Sequence, residues 1–222
     1  MSGAWLCDTR AQLPDSVQLY GVDIESRLFP REAGLAPNVH LSVCSSNDLP
    51  SYWTSKFSLV HQRLMICAYS RAQWLRAIDQ FYRVLAPGGH VQLIETGPEW
   101  VCGPKTSSLV MFLDDFFEKR GMLLRCGVFI ADMLKVAGFV DVKYEQVKMD
   151  LGKWAGEEGV LGSKITIGGV SGMRDHVMKE NGCGRFGSAK EFDQFLDEVT
   201  DEWDNLPGCH TTVRVFTARK PL

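Results

Sequence analysis

The run from Phe57 to Glu95, FSLVHQRLMICAYSRAQWLRAIDQFYRVLAPGGHVQLIE, constrains the fold more than any other part of the chain. Phe57 to Val60 and Val91 to Ile94 are short apolar stretches, the pattern of strands buried on both faces of a parallel sheet. Between them Trp74, Leu75, Ile78, Phe81, Tyr82 and Leu85 recur at helical spacing, which predicts a crossover helix with one broad apolar face. Pro87-Gly88-Gly89 supplies the turn back into the second strand. The unit is therefore βαβ. Open α/β sheets bind ligands beyond the carboxyl ends of their strands, so the residues after Val60 and after Ile94 are the first candidates for a site.

At 222 residues the chain fits one domain with a substantial core. Its 24 basic and 27 acidic residues leave no charge excess that would point to nucleic acid or an anionic membrane surface. The seven cysteines, at positions 7, 44, 67, 102, 126, 183 and 209, form no CxxC pair and no Cys/His spacing suited to zinc. Such an odd, dispersed set predicts reduced thiols, an intracellular setting (cytoplasm, with the nucleus as alternative) and neither a metal site nor a disulfide framework. The apolar runs are too short to span a bilayer, and no basic segment followed by an apolar stretch opens the chain as a secretory signal would.

Along the rest of the chain, Ala4 to Leu13 reads as a short helix ended by Pro14-Asp15-Ser16. Val17 to Val22 reads as a strand with Asp23 at its carboxyl end, and Val39 to Val43 as another, followed by the polar loop Cys44 to Asp48. Helices are expected over Lys105 to Arg120 and over Val128 to Ala137, the latter stopping at Gly138. Phe139 to Met149 and Thr211 to Ala218 read as a closing strand pair, open to antiparallel pairing. The segment 151–207 is expected to form a substrate cover within a single domain, 1–222. It carries a glycine-rich stretch from Gly156 to Gly172, read as a mobile lid or a plain loop, and an acidic helix from Ser188 to Trp203. The alternation predicts a three-layer α/β sandwich.

Five blocks carry a resemblance. They are YGVDIESRLFP (20–30), NVHL (38–41), WTSKFSLVHQRL (53–64), YRVLAPGGHVQLIE (82–95) and TTVRVFTARKP (211–221). In this order the chain resembles the fungal secondary-metabolism methyltransferases, a branch of the class I S-adenosylmethionine-dependent, Rossmann-like superfamily that includes the velvet-associated type. The resemblance implies a mostly parallel sheet with an antiparallel last strand and S-adenosyl-L-methionine as cofactor. In the family a first strand and a glycine loop of the form D-x-G-x-G-x-G precede the first helix; here Ser2-Gly3-Ala4-Trp5-Leu6 matches only the tail of that loop. Three readings follow for the missing central strand: a truncated gene product, a sheet that closes differently, or a strand supplied by another chain.

The resemblance implies a role for each candidate residue. Asp23 would accept hydrogen bonds from both ribose hydroxyls, since a carboxylate offers two acceptor oxygens; otherwise it is a turn or N-cap aspartate. Ser46, Asn47 and Asp48 would read the adenine or form a solvated turn. Gly3 is the remnant of the glycine loop. His61 and Gln62, after their strand, would face the reacting sulfonium, with His61 a general base or a structural histidine. Ser58 replaces the family's aspartate. Arg63 is expected to pair with Glu95, which closes its strand as part of the floor beneath the substrate. Trp100 and Trp154 are assigned to the substrate wall, while Met111, Phe112, Phe116 and Met173 are left to the core.

Three functions are therefore carried forward. The first is a methyltransferase acting on a small-molecule natural product, with no nucleic-acid, membrane or metal partner and with homodimerisation left open. The second is a methyltransferase-fold cyclase that closes a ring by conformational restraint without methyl transfer. The third is a non-catalytic regulatory partner with an exposed apolar patch.

Overall fold

The computed structural model describes residues 4–27, 29–30 and 35–222. It opens with α1 (Ala4–Arg10), β1 (Leu19–Asp23) and β2 (Val39–Val43), continues through β3 (Phe57–Arg63), α2 (Arg71–Val84) and β4 (Leu85–Val101), and then α3 (Pro104–Glu118), α4 (Ile130–Val136) and β5 (Val140–Asp150). It closes with α5 (Gly156–Ser171), α6 (Arg174–Lys179), α7 (Ala189–Asn205) and β6 (His210–Arg219).

The strands form two sheets. β1 and β2 pair in parallel, and a separate four-stranded sheet has the order β3-β4-β6-β5. β3 and β4 are parallel, whereas β6 runs antiparallel to both β4 and β5, so a single reversed strand closes a parallel set. The second edges of β1 and β3 have no ladder partner among the described residues. The two sheets meet through side chains instead. Tyr20 of β1 lies edge-on to Phe57 at the start of β3, with Trp53 against both rings.

The crossover unit forms as its pattern predicts. Ser70 caps α2 in a reciprocal capping box with Gln73, which satisfies two amides at the helix start. Trp74, Ala77, Ile78, Phe81 and Val84 turn inward from α2. They meet Val91 and Leu93 of β4, Phe216 and Ala218 of β6, and Ile130, Met133 and Leu134 of α4 in one core. Residues 89, 91, 93, 95 and 97 of β4 are all buried, the period of two that a strand requires when one face meets a core. The Pro-Gly-Gly turn is absorbed into the start of β4, where the register with β3 shifts between Phe57 and Leu59 and Gly88 has a φ of +77°.

β3 departs from the buried-strand expectation. Leu59 is 50 % exposed, because it lies on the opposite face of the sheet and on a strand with a free edge. On the same face Val147 of β5 is 52 % exposed, so the helical layer there is thinner than in a filled three-layer sandwich.

A second core joins α3, α5, α6 and α7 through Phe112 and Phe116, Val170, Val177, and Phe192, Leu196 and Trp203, with Phe186 added from the segment before α7. Here the glycine-rich stretch is not a loop: it folds as the sixteen-residue helix α5. Its glycines serve close approach. A Cβ at Gly159 would stand 2.2 Å from the Gly152 carbonyl oxygen, and one at Gly162 would stand 2.4 Å from that of Asp150. Two of the seven cysteines are also paired rather than reduced. Cys102 and Cys209 continue the β4–β6 register one step beyond Val101 and His210, with Cα atoms 4.5 Å apart, and are joined by a disulfide. Cross-strand register, invisible in the linear spacing, brings them together.

Helix propensity alone favours Ala over Gly by about 1 kcal/mol. Gly168→Ala, facing open space, is therefore expected to stabilise the protein by roughly 0.5–1 kcal/mol. Gly162→Ala is expected to destabilise it despite the same propensity gain. Urea denaturation of both variants checks this, and a stabilising Gly162→Ala would contradict the close packing of α5 on Asp150.

Candidate functional site

The carboxyl ends of β1, β2 and β3 carry most of the residues singled out in the sequence, whereas Glu95, expected to close its strand, lies inside β4, which runs on to Val101. Asp23 ends β1, and its Oδ1 accepts the Glu25 amide at 3.1 Å. Burial alone would raise its carboxyl; the Glu25 and Ile24 amides are among the groups that outweigh this and hold it below its ordinary value. It is thus an anion at neutral pH.

The loop after β2 is held in a compact turn. Asn47 donates its amide to Ser45 Oγ at 3.2 Å, and the Cys44 thiol donates to the Asp48 carbonyl at 3.3 Å. Ser46 Oγ is hydrogen-bonded to the Tyr69 hydroxyl, which reaches it from the loop between β3 and α2. That hydroxyl also donates to Gln62 Oε1 at 3.3 Å. Tyr69, not identified from the sequence, therefore connects the loop after β2 to the end of β3. Only its position in an unassigned loop before the α2 capping box could have drawn notice to it. Asn47 Oδ1 and Gln62 Nε2 are buried and have no partner of their own.

Strand alternation separates the three residues expected to work together. His61 is in register with Gln92, and Gln62 with Leu93. Registered partners point to the same side of a sheet, so Gln62 shares its face with Leu93 and Glu95, while His61 and Arg63 lie on the opposite face. His61 Nδ1 is 2.9 Å from Gln92 Oε1, which accepts its proton and leaves the lone pair on Nε2. Burial, more than the nearby Arg63 charge, pushes His61 below its ordinary pKa, and Gln92 offsets only part of this; the ring is neutral at pH 7. The Trp5 indole of α1 stacks on this ring, centroids 3.7 Å apart and 9° from parallel. Nε2 is buried without a hydrogen-bond partner.

The expected Arg63–Glu95 pair does not form, because the two side chains are on opposite faces. Glu95 is instead fully buried. Its Oε1 accepts the Met65 amide at 2.7 Å, and its Oε2 faces the Cys126 thiol at 3.8 Å. Burial raises Glu95 to about 7, while the Met65 and Ile66 amides and Cys126 pull the other way. Burial and the adjacent carboxylate push the Cys126 thiol up in turn. With no exposed surface, Glu95 braces the loop after β3 against the sheet.

Next to these residues in the chain is a cavity of about 20 Å³, room for roughly one water, lined among others by Ile66, Thr96, Trp100, Val110, Leu113 and Arg125. Trp100 is among the residues that line this water-sized cavity. Trp154 is elsewhere, its indole Nε1 bonded to the Leu151 carbonyl at 2.7 Å and its ring under Lys148. Gly3 lies outside the described residues. Among the described residues no group of three His, Cys, Asp or Glu side chains is arranged to hold a metal. No helix among them is long and apolar enough to cross a membrane.

This strand order, with one reversed strand and candidate groups at the carboxyl ends, defines the α/β fold of the class I S-adenosylmethionine-dependent methyltransferases. A phosphoethanolamine N-methyltransferase 2 of Haemonchus contortus superposes with a TM-score of 0.57 at 19 % identity, over 99 % of this chain and 47 % of that one. The [4+2]-cyclase SpnF superposes with the same TM-score at 18 % identity, over 99 % and 72 %. Both likenesses concern the fold alone.

By sequence the chain is similar to the N-methyltransferase verN of Clonostachys rogersoniana, 30 % identical over 68 % of this chain and 53 % of that protein. It is also similar to the N-methyltransferase gliN of Aspergillus fumigatus, 26 % identical over 93 % of this chain and 76 % of that protein. The N-methyltransferase sirN of Leptosphaeria maculans is 27 % identical over 72 % and 57 %. The chain spans little more than half the length of the first of these relatives. No family model matches it.

Glu95 gives the site a pH dependence of known sign. Its carboxyl binds a proton more tightly in the folded state, at about 7, than in the unfolded chain, near 4.5. Its contribution to stability is complete below pH 4.5 and is lost as pH rises to about 7, by roughly 3 kcal/mol over the whole range. Glu95→Gln keeps the shape without the titration. The stability of the wild type relative to this variant, from denaturant midpoints, should fall between pH 5 and 7.5; parallel profiles would contradict the assignment.

Proposed function

We propose that this chain forms part of an S-adenosylmethionine-dependent methyltransferase that acts on a small-molecule natural product in fungal secondary metabolism. The observation that carries the reading is the arrangement of Asp23, the Ser46–Asp48 loop and the end of β3 at adjacent strand ends, together with the N-methyltransferase relatives. The residues fit the cofactor by their chemistry. Asp23 is an anion able to accept from two ribose hydroxyls at once. Asn47 Oδ1, Gln62 Nε2 and His61 Nε2 are buried polar atoms in want of partners, and such atoms are costly unless something satisfies them.

The bound cofactor would supply an electrophilic methyl on a sulfonium. The protein's part is to hold the acceptor in line with it, exclude water and take up the acceptor's proton. Neutral His61 suits the last task, since Gln92 fixes its tautomer with the free lone pair on Nε2. The Trp5 ring covers one face of the imidazole. Several relatives are N-methyltransferases, so a nitrogen acceptor is the first substrate class to test. The chain works without nucleic acid or membrane in this reading, and homodimerisation is compatible with it.

A second reading, a cyclase on the same fold, has one observation in its favour: the [4+2]-cyclase SpnF superposes on this chain with a TM-score of 0.57. Calorimetric titration separates the two. S-adenosylmethionine and S-adenosylhomocysteine are expected to bind, and Asp23→Ala to weaken binding about tenfold or more. Lack of binding, with turnover of a linear precursor in cofactor-free protein, would favour the cyclase. His61→Ala is expected to lower methyl transfer about a hundredfold while leaving cofactor affinity unchanged, as loss of a general base would. Unchanged turnover in that variant would remove His61 from the chemistry.

A further inference from the structure

The pairing expected between Arg63 and Glu95 does not form, and this leaves Arg63 without an anion. Arg63 is half-buried at the end of β3, and its Nε is buried and donates to nothing. The other half-buried arginines among the described residues are all engaged. Arg10 pairs with Asp15, Arg120 with Glu180 and Arg219 with Asp141, while Arg83 donates to the Leu49 carbonyl and Arg214 to that of Gly127. No carboxylate, carbonyl or aromatic ring among the described residues takes the Arg63 guanidinium. That group keeps its charge at every pH a protein meets, and a charge partly withdrawn from water is costly until an anion joins it.

Strand alternation places this cation beside His61. The two residues share one face of β3, about 6.5 Å apart along the strand. They also act on each other: burial first, and the Arg63 charge after it, lower the His61 imidazole. His61 Nε2 carries a buried lone pair with no donor. A lone pair beside a fork of N–H donors has a defined complement, a molecule with a proton to give up at one atom and an oxyanion a few bonds away. The planar guanidinium matches a carboxylate through two parallel hydrogen bonds. We propose that Arg63 binds a carboxylate of the methyl acceptor and so sets the acceptor's nucleophilic atom against His61 Nε2. As that atom bonds to the donor's methyl and the carbon–sulfur bond breaks, its proton passes to Nε2; Arg63 holds the carboxylate throughout and forms no covalent bond. The proposal rests on the methyltransferase reading and deepens it by naming an acidic acceptor.

The test uses protein loaded with S-adenosylhomocysteine and two probes: phenylacetate, a small aromatic carboxylate, and phenylacetamide, its uncharged counterpart. Binding is followed through the His61 ring signals in NMR spectra, which report on the atoms beside Arg63. Phenylacetate is expected to bind and shift those signals, and phenylacetamide to bind roughly tenfold more weakly. Arg63→Met keeps an unbranched apolar stem without the charge; it should weaken phenylacetate roughly tenfold and leave phenylacetamide unchanged, whereas Arg63→Lys should retain part of the preference. General loosening of the fold would not remove selectivity in this way. Affinity for S-adenosylhomocysteine should be equal in wild type and Arg63→Met. A drop there, with affinity for methylthioadenosine unchanged, would assign Arg63 to the donor's amino-acid carboxylate and overturn the proposal. Phenylacetate that fails to bind the loaded wild type, or that binds Arg63→Met equally well, would overturn it too while leaving cofactor binding standing. Failure of the wild type to bind S-adenosylhomocysteine would overturn the methyltransferase reading and this inference with it.

Discussion

The hydrogen-bonded ladder of β4 is the constraint on which the other features depend. It pairs with β3 on one side and β6 on the other, and its alternate residues from 89 to 97 are buried. That alternation assigns every neighbouring side chain to one of two faces. On one face lie Glu95, Gln62, the Tyr69 hub and the α2 core; on the other lie His61, Arg63 and the Trp5 ring. A one-residue slip of β3 would exchange these sets, which is why the apolar residues of β4 and α2, by fixing the register, also fix the chemistry.

The two faces carry different electrostatics from the same physical cause. Burial raises the Glu95 carboxyl and lowers the His61 imidazole, so both groups are driven toward their neutral forms. Glu95 answers by accepting backbone amides from the loop after β3, which ties the wall of the Trp100 cavity to the sheet. His61 answers by donating to Gln92 and keeping an unpaired nitrogen. One arrangement braces; the other holds a base in reserve. Asp23 remains an anion at the end of the neighbouring small sheet.

Much of the architecture was legible in the chain because local pattern and burial agree there. The helical spacing of Trp74, Ile78 and Phe81, the capping Ser70 and the run Val91 to Ile94 each specify their element without help from distant residues. The placement of Asp23 and of the Ser46–Asp48 loop at strand ends followed from the same pattern. Reading failed where glycine was taken for flexibility. In α5 the glycines at 159 and 162 are contact surfaces for the backbone of Gly152 and Asp150, a role that depends on what lies opposite. Pairing of Cys102 with Cys209, 107 positions apart, depends likewise on the β4–β6 register.

Sequence by itself determined most of the elements and their order, since these follow from periodicity and turn chemistry within a few residues, but not the helix at 156–171 or the run of β4 past Glu95 to Val101. Only the tertiary structure decided which of those residues meet. It set His61 against Trp5, buried Glu95 under backbone amides instead of beside Arg63, and brought Tyr69 to Ser46 and Gln62. The reason is geometric: neighbours in a strand point to opposite faces, and contacts between elements are set by packing across distances that no local spacing encodes.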